Sequence, residues 1–334
     1  MGKPVALIHC NAGGGFGMGH VMRCAALGEE AKARGWRVLI AGNLDAAAAD
    51  YAGSQAGLEV LAAPSAGNMS QWLHDTVHAV SPQLVHLDSY VLPDADTPRG
   101  AWALSNMQDG SFGARTADLL IDPNFGAQAL GGAGAGRTLV GVRYCPVRQQ
   151  VRRRRKVVAD DVNRPLRVLI VLGGTDPFGL TPRVAQGLLE CATAMSVTVV
   201  APEPLLDAIR GQAAGDKDLR LLPFTQDLPG LAHDHDLVVS AAGTSIWDFM
   251  CMGLPIGLMC VTENQVHAYR CVIEAGLAIP LGEPPHADFA DRIHELDRIL
   301  QTPTHLVRLA RQGQELVDGK GAERIVQAWE SMIR

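Results

Sequence analysis

Short, nearly uninterrupted apolar runs alternate with longer amphipathic stretches along most of this chain. A strand buried on both faces reads as a continuous apolar run, and an amphipathic crossover returns the chain to a parallel neighbour. The alternation therefore predicts parallel sheets covered on both faces. In the first half it predicts strands at Val5–Cys10, Arg37–Ala41, Leu58–Leu61, Leu84–Asp88, Trp102–Asn106 and Leu119–Ile121. The clearest helix runs from His20 to Gly35, where the glycine is a natural stop. A second series begins at Arg167–Leu172 and continues through Val197–Ala201, Leu219–Leu222, Leu237–Ser240, Ile256–Leu258 and Ala278–Pro280. Leu306 to Ile333 is helical by its periodicity.

The two series are separated by Gln149-Gln150-Val151, the basic run Arg152 to Lys156, and a polar stretch ending at Pro165. A run of like charge is usually solvated, which suits a linker. The expected organisation is an α/β chain with a Rossmann-like domain over 1–150, a linker over 151–165 and a second Rossmann-like domain over 166–334, its last helix packing back on the first. A length of 334 residues exceeds what most single cores hold. Ligands of such chains are expected at the carboxyl ends of the strands and in a cleft between domains.

Composition narrows the function. With 47% hydrophobic and 19% charged residues the chain is of globular type, and a net charge of −6 offers no basic field for nucleic acid. No apolar stretch is long enough to span a bilayer, and with the first residues leading straight into a strand no signal peptide is expected. Seven scattered cysteines form no Cys-x-x-Cys pair and read as reduced thiols, so a cytoplasmic location is expected.

The candidate chemistry begins where the first strand ends. Gly15-Phe-Gly17-Met-Gly19-His20-Val-Met-Arg23 puts a glycine loop and then a histidine at the start of the predicted helix. Glycines allow close backbone approach, a helix N-terminus favours negative charge, and histidine titrates near neutrality. The loop lacks the Gly-x-Gly-x-x-Gly dinucleotide fingerprint in every register and the lysine of a P-loop. In the second half, Gly173-Gly174-Thr175-Asp176 closes a strand. Ser240 to Asp248 runs from another strand into a helix, with Ala242, Gly243, Thr244 and Ser245 suited to phosphate and Asp248 to a ribose diol. Asn264-Gln265 adds amide side chains. His9 and His86 lie inside strands and read as core residues. His233-Asp-His-Asp236 looks like a metal cluster, yet alternation along a strand sends its members to opposite faces, so neither metal nor cofactor is expected.

In the same order, these segments resemble the GT-B nucleotide-sugar enzymes, in particular the UDP-sugar hydrolases of pseudaminic acid biosynthesis (the PseG family). The resemblance rests on Gly17–Arg23, Leu87-Asp88-Ser89-Tyr90, Ala117–Leu120 with Asn124, Gly141–Tyr144 with Arg148, Gly173–Asp176, Ser240–Asp248 and Asn264-Gln265. It spans about residues 5 to 280 and implies two Rossmann-like domains facing across a cleft. It also implies inverting cleavage of the anomeric C–O bond of a UDP-(amino/deoxy)sugar, without a metal. His20 would be the base and Tyr90 its companion. Gly17, Gly19, Arg23, Asn264 and Gln265 would meet the sugar. Gly173, Gly174, Thr175, Phe224, Ala242, Gly243, Thr244, Ser245 and Asp248 would hold the nucleotide. Two positions depart from the family: Asp248 stands where glutamate is usual, and Gln149-Gln150-Val151 follows Arg148 in place of an acidic and aromatic pair. Water as acceptor makes a hydrolase; a sugar, lipid or small-molecule hydroxyl or amine makes a glycosyltransferase.

Overall fold

Valine, isoleucine and leucine crowd the strands and fill both faces of two parallel sheets. The computed structural model describes residues 2–13, 16–64, 67–128, 136–158, 164–173, 176, 178–212, 218–286 and 288–333. It divides into two compact units, Met1–Gln149 with Asp318–Arg334, and Gln150–Val317.

The first unit is built from β1 (Val5–Cys10), α1 (Gly19–Ala33), β2 (Arg37–Gly42), α2 (Ala46–Asp50), β3 (Glu59–Ala62), α3 (Met69–Val80), β4 (Leu84–Asp88), β5 (Ala103–Met107), β6 (Leu119–Asp122) and β7 (Arg137–Val140). The strands pair in the order β3-β2-β1-β4-β5-β6-β7, all parallel. The order reverses between β1 and β4, whose register sets Cys10 beside Asp88. At such a switch point the crossovers leave in opposite directions and open a crevice at the strands' carboxyl ends.

After α4 (Gln149–Arg152), the second unit runs β8 (Leu166–Val171), α5 (Leu180–Leu189), β9 (Met195–Val200), α6 (Glu203–Gln212), β10 (Leu219–Leu222), α7 (Leu228–His233), β11 (Leu237–Ala241), α8 (Ser245–Met252), β12 (Ile256–Met259), α9 (Val266–Glu274), β13 (Ile279–Pro280), α10 (Phe289–Leu300) and α11 (Pro303–Leu316). Its parallel sheet has the order β10-β9-β8-β11-β12-β13, with the reversal between β8 and β11.

The final helix, α12 (Gly321–Met332), belongs to the first unit. It buries Ala322, Ile325, Val326, Ala328 and Trp329, and the Trp329 indole N–H donates to Ser105 Oγ at 2.9 Å. A Cβ on Gly321 would lie 2.0 Å from the Cys145 carbonyl oxygen, so only glycine allows the helix to start so close to that backbone.

Several expectations differ from the observed elements. The continuous helix expected over Leu306–Ile333 is two helices, interrupted at Val317–Lys320 where Gly319 takes φ of +79°. Trp102 precedes β5 instead of opening it, and β7 matches none of the strands expected from the apolar pattern. His233 ends α7 and Asp236 precedes β11, so His233–Asp236 is a helix-to-strand turn, not a strand. Asp236 there pairs with Arg164, and His235 contacts the Leu231 carbonyl and Thr198. No group of side chains arranged to hold a metal occurs among the described residues.

Candidate functional site

The expected catalytic residues of the first unit converge where its strand order reverses. Gly17, at φ of +69°, turns the chain from β1 into α1, and His20 sits in that helix's first turn. Asp88 closes β4 and is completely buried. His20 Nδ1 lies 2.7 Å from Asp88 Oδ1, Arg23 Nε donates to Oδ2 at 2.6 Å, and Arg23 Nη2 donates to Oδ1 at 2.6 Å. Burial alone would push the Asp88 carboxyl up, but the charge and hydrogen bonds of Arg23, with those of His20 behind them, hold it well below the usual carboxylate range. An ionised carboxylate only accepts, so Nδ1 carries the proton and the lone pair of the neutral ring is on Nε2. Arg23 Nη2 and His20 Nδ1 approach to 3.3 Å because both donate to one oxygen, not because one donates to the other.

Tyr90 follows two residues after Asp88. Ser89 Oγ accepts from the backbone N–H groups of Val91 and Leu92, and Arg115 donates to the carbonyls of Ser89 and Leu92. This braced turn leaves Tyr90 45% exposed, its ring edge-on to His20 with centroids 4.5 Å apart. The Tyr90 hydroxyl donates to Asp109, which follows β5. Asp109 also accepts from Arg23 Nη1 at 3.0 Å and from Asn124 Nδ2 at 2.7 Å. Asp122, at the end of β6, accepts from Gly110 N and Asn124 Nδ2. Phe112, in the turn closed by Asp109, is exposed with its ring 5.8 Å from that of Tyr90, and Phe16 is exposed in the glycine loop.

Arg23, expected to meet the sugar, is buried and spends Nε and both terminal nitrogens on Asp88 and Asp109. Burial opposes its charge, but the two carboxylates outweigh that and raise it well above the usual guanidinium value. Asp88 and Asp109 were not among the expected site residues. The signal for the first was an acid ending a buried strand, two positions before Tyr90; the second had none, since its partners are 15 to 86 residues away. His9 and His86 lie buried in the sheet, and burial pushes both down to about 4, so they enter the region as neutral rings.

In the second unit the expected residues fall at the carboxyl edge of the sheet. Gly173 follows β8, and Gly174 and Thr175 lie outside the described residues. Asp176 turns back on its own helix: its carboxylate accepts from Leu180 N at 2.8 Å and Thr181 N at 2.7 Å, which fills the start of α5. The start of α8 differs. Thr244 provides no side-chain cap, Thr244 and Ser245 are exposed, and a Cβ on Gly243 would meet nothing nearer than Gln265 Nε2 at 4.0 Å. The Gln265 side chain is fixed there by accepting from Val261 N at 3.0 Å. Ala242 is buried beneath, and Asp248 is half-buried in the first turn of α8. Phe224 lies two residues beyond β10 and is 53% exposed. Asn264 lies in the 3-10 turn Glu263–Gln265, its side chain outside the described residues. A cavity of about 1120 Å³ opens at the opposite, amino-terminal edge of this sheet, lined by Lys156, Arg164, Asp236 and Leu254 among others; none of the expected site residues reaches it.

These two parallel-sheet α/β units define a GT-B fold. The chain resembles MurG of Acinetobacter baumannii with a TM-score of 0.69 and 13% identity, over 98% of this chain and 99% of that one. It resembles the spinosyn rhamnosyltransferase SpnG, complexed with thymidine diphosphate, with a TM-score of 0.65 and 15% identity, over 98% and 100% of the two chains. In sequence it is 25% identical over 162 residues to the spore coat polysaccharide biosynthesis protein SpsG of Bacillus subtilis, which is 47% of this chain and 48% of SpsG, so the match spans about half of that relative. No family model matches. No helix among the described residues is long and apolar enough to cross a membrane.

Proposed function

We propose that this chain cleaves the anomeric C–O bond of a UDP-(amino/deoxy)sugar with inversion, using water as the acceptor. The observation that carries the reading is the His20–Asp88 pair at 2.7 Å, which leaves Nε2 as the one basic nitrogen of a ring at the carboxyl edge of a parallel sheet. Nε2 takes a proton from water as its oxygen bonds to the anomeric carbon. The bond from that carbon to the phosphate oxygen breaks, and UDP leaves with the bonding electrons. Asp88 holds the ring in the working tautomer and stabilises the imidazolium that forms. The first turn of α8, with Gly243, Thr244, Ser245 and Gln265, receives the diphosphate charge. Arg23 acts beneath His20, not on the sugar. The likeness to SpsG, a polysaccharide biosynthesis protein, supports nucleotide-sugar chemistry.

A second reading, an inverting glycosyltransferase, is favoured by one observation: Tyr90, edge-on to His20, and Phe112 beside it expose aromatic surface, more than water needs. The two separate in one experiment. The purified protein is incubated with a panel of UDP-sugars that includes acetamido sugars, with no acceptor added, and the products are read by mass spectrometry. Release of UDP with free sugar supports the hydrolase. Binding without cleavage moves the reading to transfer, and a panel that is neither bound nor cleaved refutes both.

A further inference from the structure

We propose that Asp109, which does not touch His20, is a positioning residue that supplies the negative charge the His20 imidazolium requires. The inference rests on His20 being the base, and it concerns how that base is tuned.

Asp88 cannot fill this role alone. Arg23 donates two hydrogen bonds to it and is buried with it, so the pair is close to neutral as a unit. A histidine that gains a proton beside a neutral pair adds an unbalanced positive charge to a site with little solvent, at substantial cost. Asp109 changes the count, because Arg23 is one cation shared by two carboxylates, with Nη1 bonded to both oxygens of Asp109.

The charged groups around His20 come from every element packed there. From β1 comes His9, neutral for the reason given above, with the Cys10 thiol. From α1 come Arg23 and the thiol of Cys24, which donates to Asp88. From β4 and the segment after it come Asp88, Tyr90 and, acting on Arg115, Asp94; from the β5–β6 connection come Asp109 and Arg115, and Asp122 of β6 lies behind Asn124. Within the hydrogen-bonded cluster two carboxylates, Asp88 and Asp109, share one guanidinium, Arg23, so the cluster is one negative charge in excess while His20 is neutral. It is balanced when His20 takes a proton. Without Asp109 the same cluster is neutral at rest and positive during the reaction.

The surroundings of Asp109 fit this role. Its side chain is 19% exposed, and Tyr90, Asn124 and Arg23 all donate to it. Tyr90 and Asn124 fix the carboxylate in place without adding charge. The Tyr90 hydroxyl hydrogen is thereby committed to Asp109, and what Tyr90 offers His20 is its ring.

The test is the titration of the His20 imidazole by nitrogen-15 NMR in the full chain, with His20→Gln identifying the signal. Asp109→Asn keeps the shape and removes the charge, and is expected to move the midpoint down by about one pH unit. Tyr90→Phe removes a donor and keeps the charge, which leaves Asp109 less neutralised and moves the midpoint upward. An unmoved midpoint in folded Asp109→Asn overturns the proposal, as does a downward shift in Tyr90→Phe. Should Asp109→Asn not fold, Tyr90→Phe decides: an upward shift supports the proposal, and an absent or downward one overturns it. The titration uses no substrate. A chain that shows these shifts but cleaves no UDP-sugar would lose the proposed reaction and keep the electrostatics; turnover without the shifts would do the reverse.

Discussion

Asp88→Asn is the most informative single change, because the structure fixes what an amide can and cannot do there. Both Asp88 oxygens accept: Oδ1 from His20 Nδ1 and Arg23 Nη2, Oδ2 from Arg23 Nε. An asparagine can satisfy only one side. With its oxygen toward His20, its NH2 points at Arg23 Nε, donor against donor. With its NH2 toward His20, Nδ1 must become the acceptor, which moves the ring proton to Nε2 and removes the lone pair that would attack water's proton. Losing one member of a buried ion pair costs about 3 kcal/mol, at the low end of the usual range because Arg23 retains Asp109. The wrong tautomer costs more in rate, about 10³- to 10⁴-fold, or about 4–5 kcal/mol of transition-state stabilisation. Three measurements test this: a thermal melt, UDP affinity by calorimetry, and turnover of whichever UDP-sugar the panel identifies. The expected result is a lower melting point, unchanged UDP affinity and turnover reduced by those factors. Turnover within tenfold of wild type, in a folded variant, would remove His20 from the role of an Asp-oriented base.

Acid should weaken the chain before Asp88 protonates. His9 and His86 are pushed by burial from 6.5 to about 4, so between those values the unfolded chain binds protons the folded chain refuses. Stability is full above about pH 6.5 and is lost as pH falls toward 4, by up to about 3 kcal/mol per histidine, whereas Asp88 contributes a loss only below its ordinary 3.8. Urea melts from pH 7 to 4.5 check this, and a flat profile refutes it. Gly243→Val is expected to fold normally, since its backbone is not left-handed and the space is open, but to weaken UDP binding at least about tenfold by calorimetry. Asp176→Ala is expected to cost about 1 kcal/mol in the melt as a lost helix cap and to leave UDP affinity unchanged. Gly321→Ala should cost about 3 kcal/mol, because its Cβ meets backbone and not a movable side chain.

The sequence reveals the strands because burial on both faces leaves no choice of residue: β1, β4, β8 and β11 are each apolar nearly end to end. Elements whose existence depends on neighbours are harder to see. β7 is a four-residue edge strand with one buried position, so its composition carries little signal. The break between α11 and α12 was legible in Asp318-Gly319, which ends one helix while Asp318 pairs with Arg324 of the next; apolar periodicity on both sides concealed it. For the site, the divide falls between local and distant pairing. His20 and Tyr90 announce themselves through glycines and a strand end beside them. Asp109 draws its meaning from Arg23 and Tyr90, which reach it from other strands and another helix, and no local pattern records that.

The same divide sharpens the reading of the nucleotide half. Gly173–Asp176 and Ala242–Ser245 look alike in sequence: small residues after a buried strand, then a helix. They differ in how their donors are engaged. The start of α5 already holds an anion, the Asp176 carboxylate on Leu180 N and Thr181 N, and a phosphate there would meet like charge with those donors spent. The start of α8 has no side-chain cap, exposes two hydroxyl residues and has an amide side chain fixed nearby. A leaving diphosphate needs donors already aimed and not engaged, because reorganising them during bond cleavage forfeits most of their worth. At the start of α8 the N–H groups of Ala242, Gly243, Ile246 and Trp247 donate to backbone carbonyls, which leaves those of Thr244 and Ser245 with the two hydroxyls, whereas Leu180 N and Thr181 N at α5 are spent on Asp176; Asp176→Ala and Gly243→Val are therefore expected to act on different properties of the protein, stability in one case and nucleotide affinity in the other.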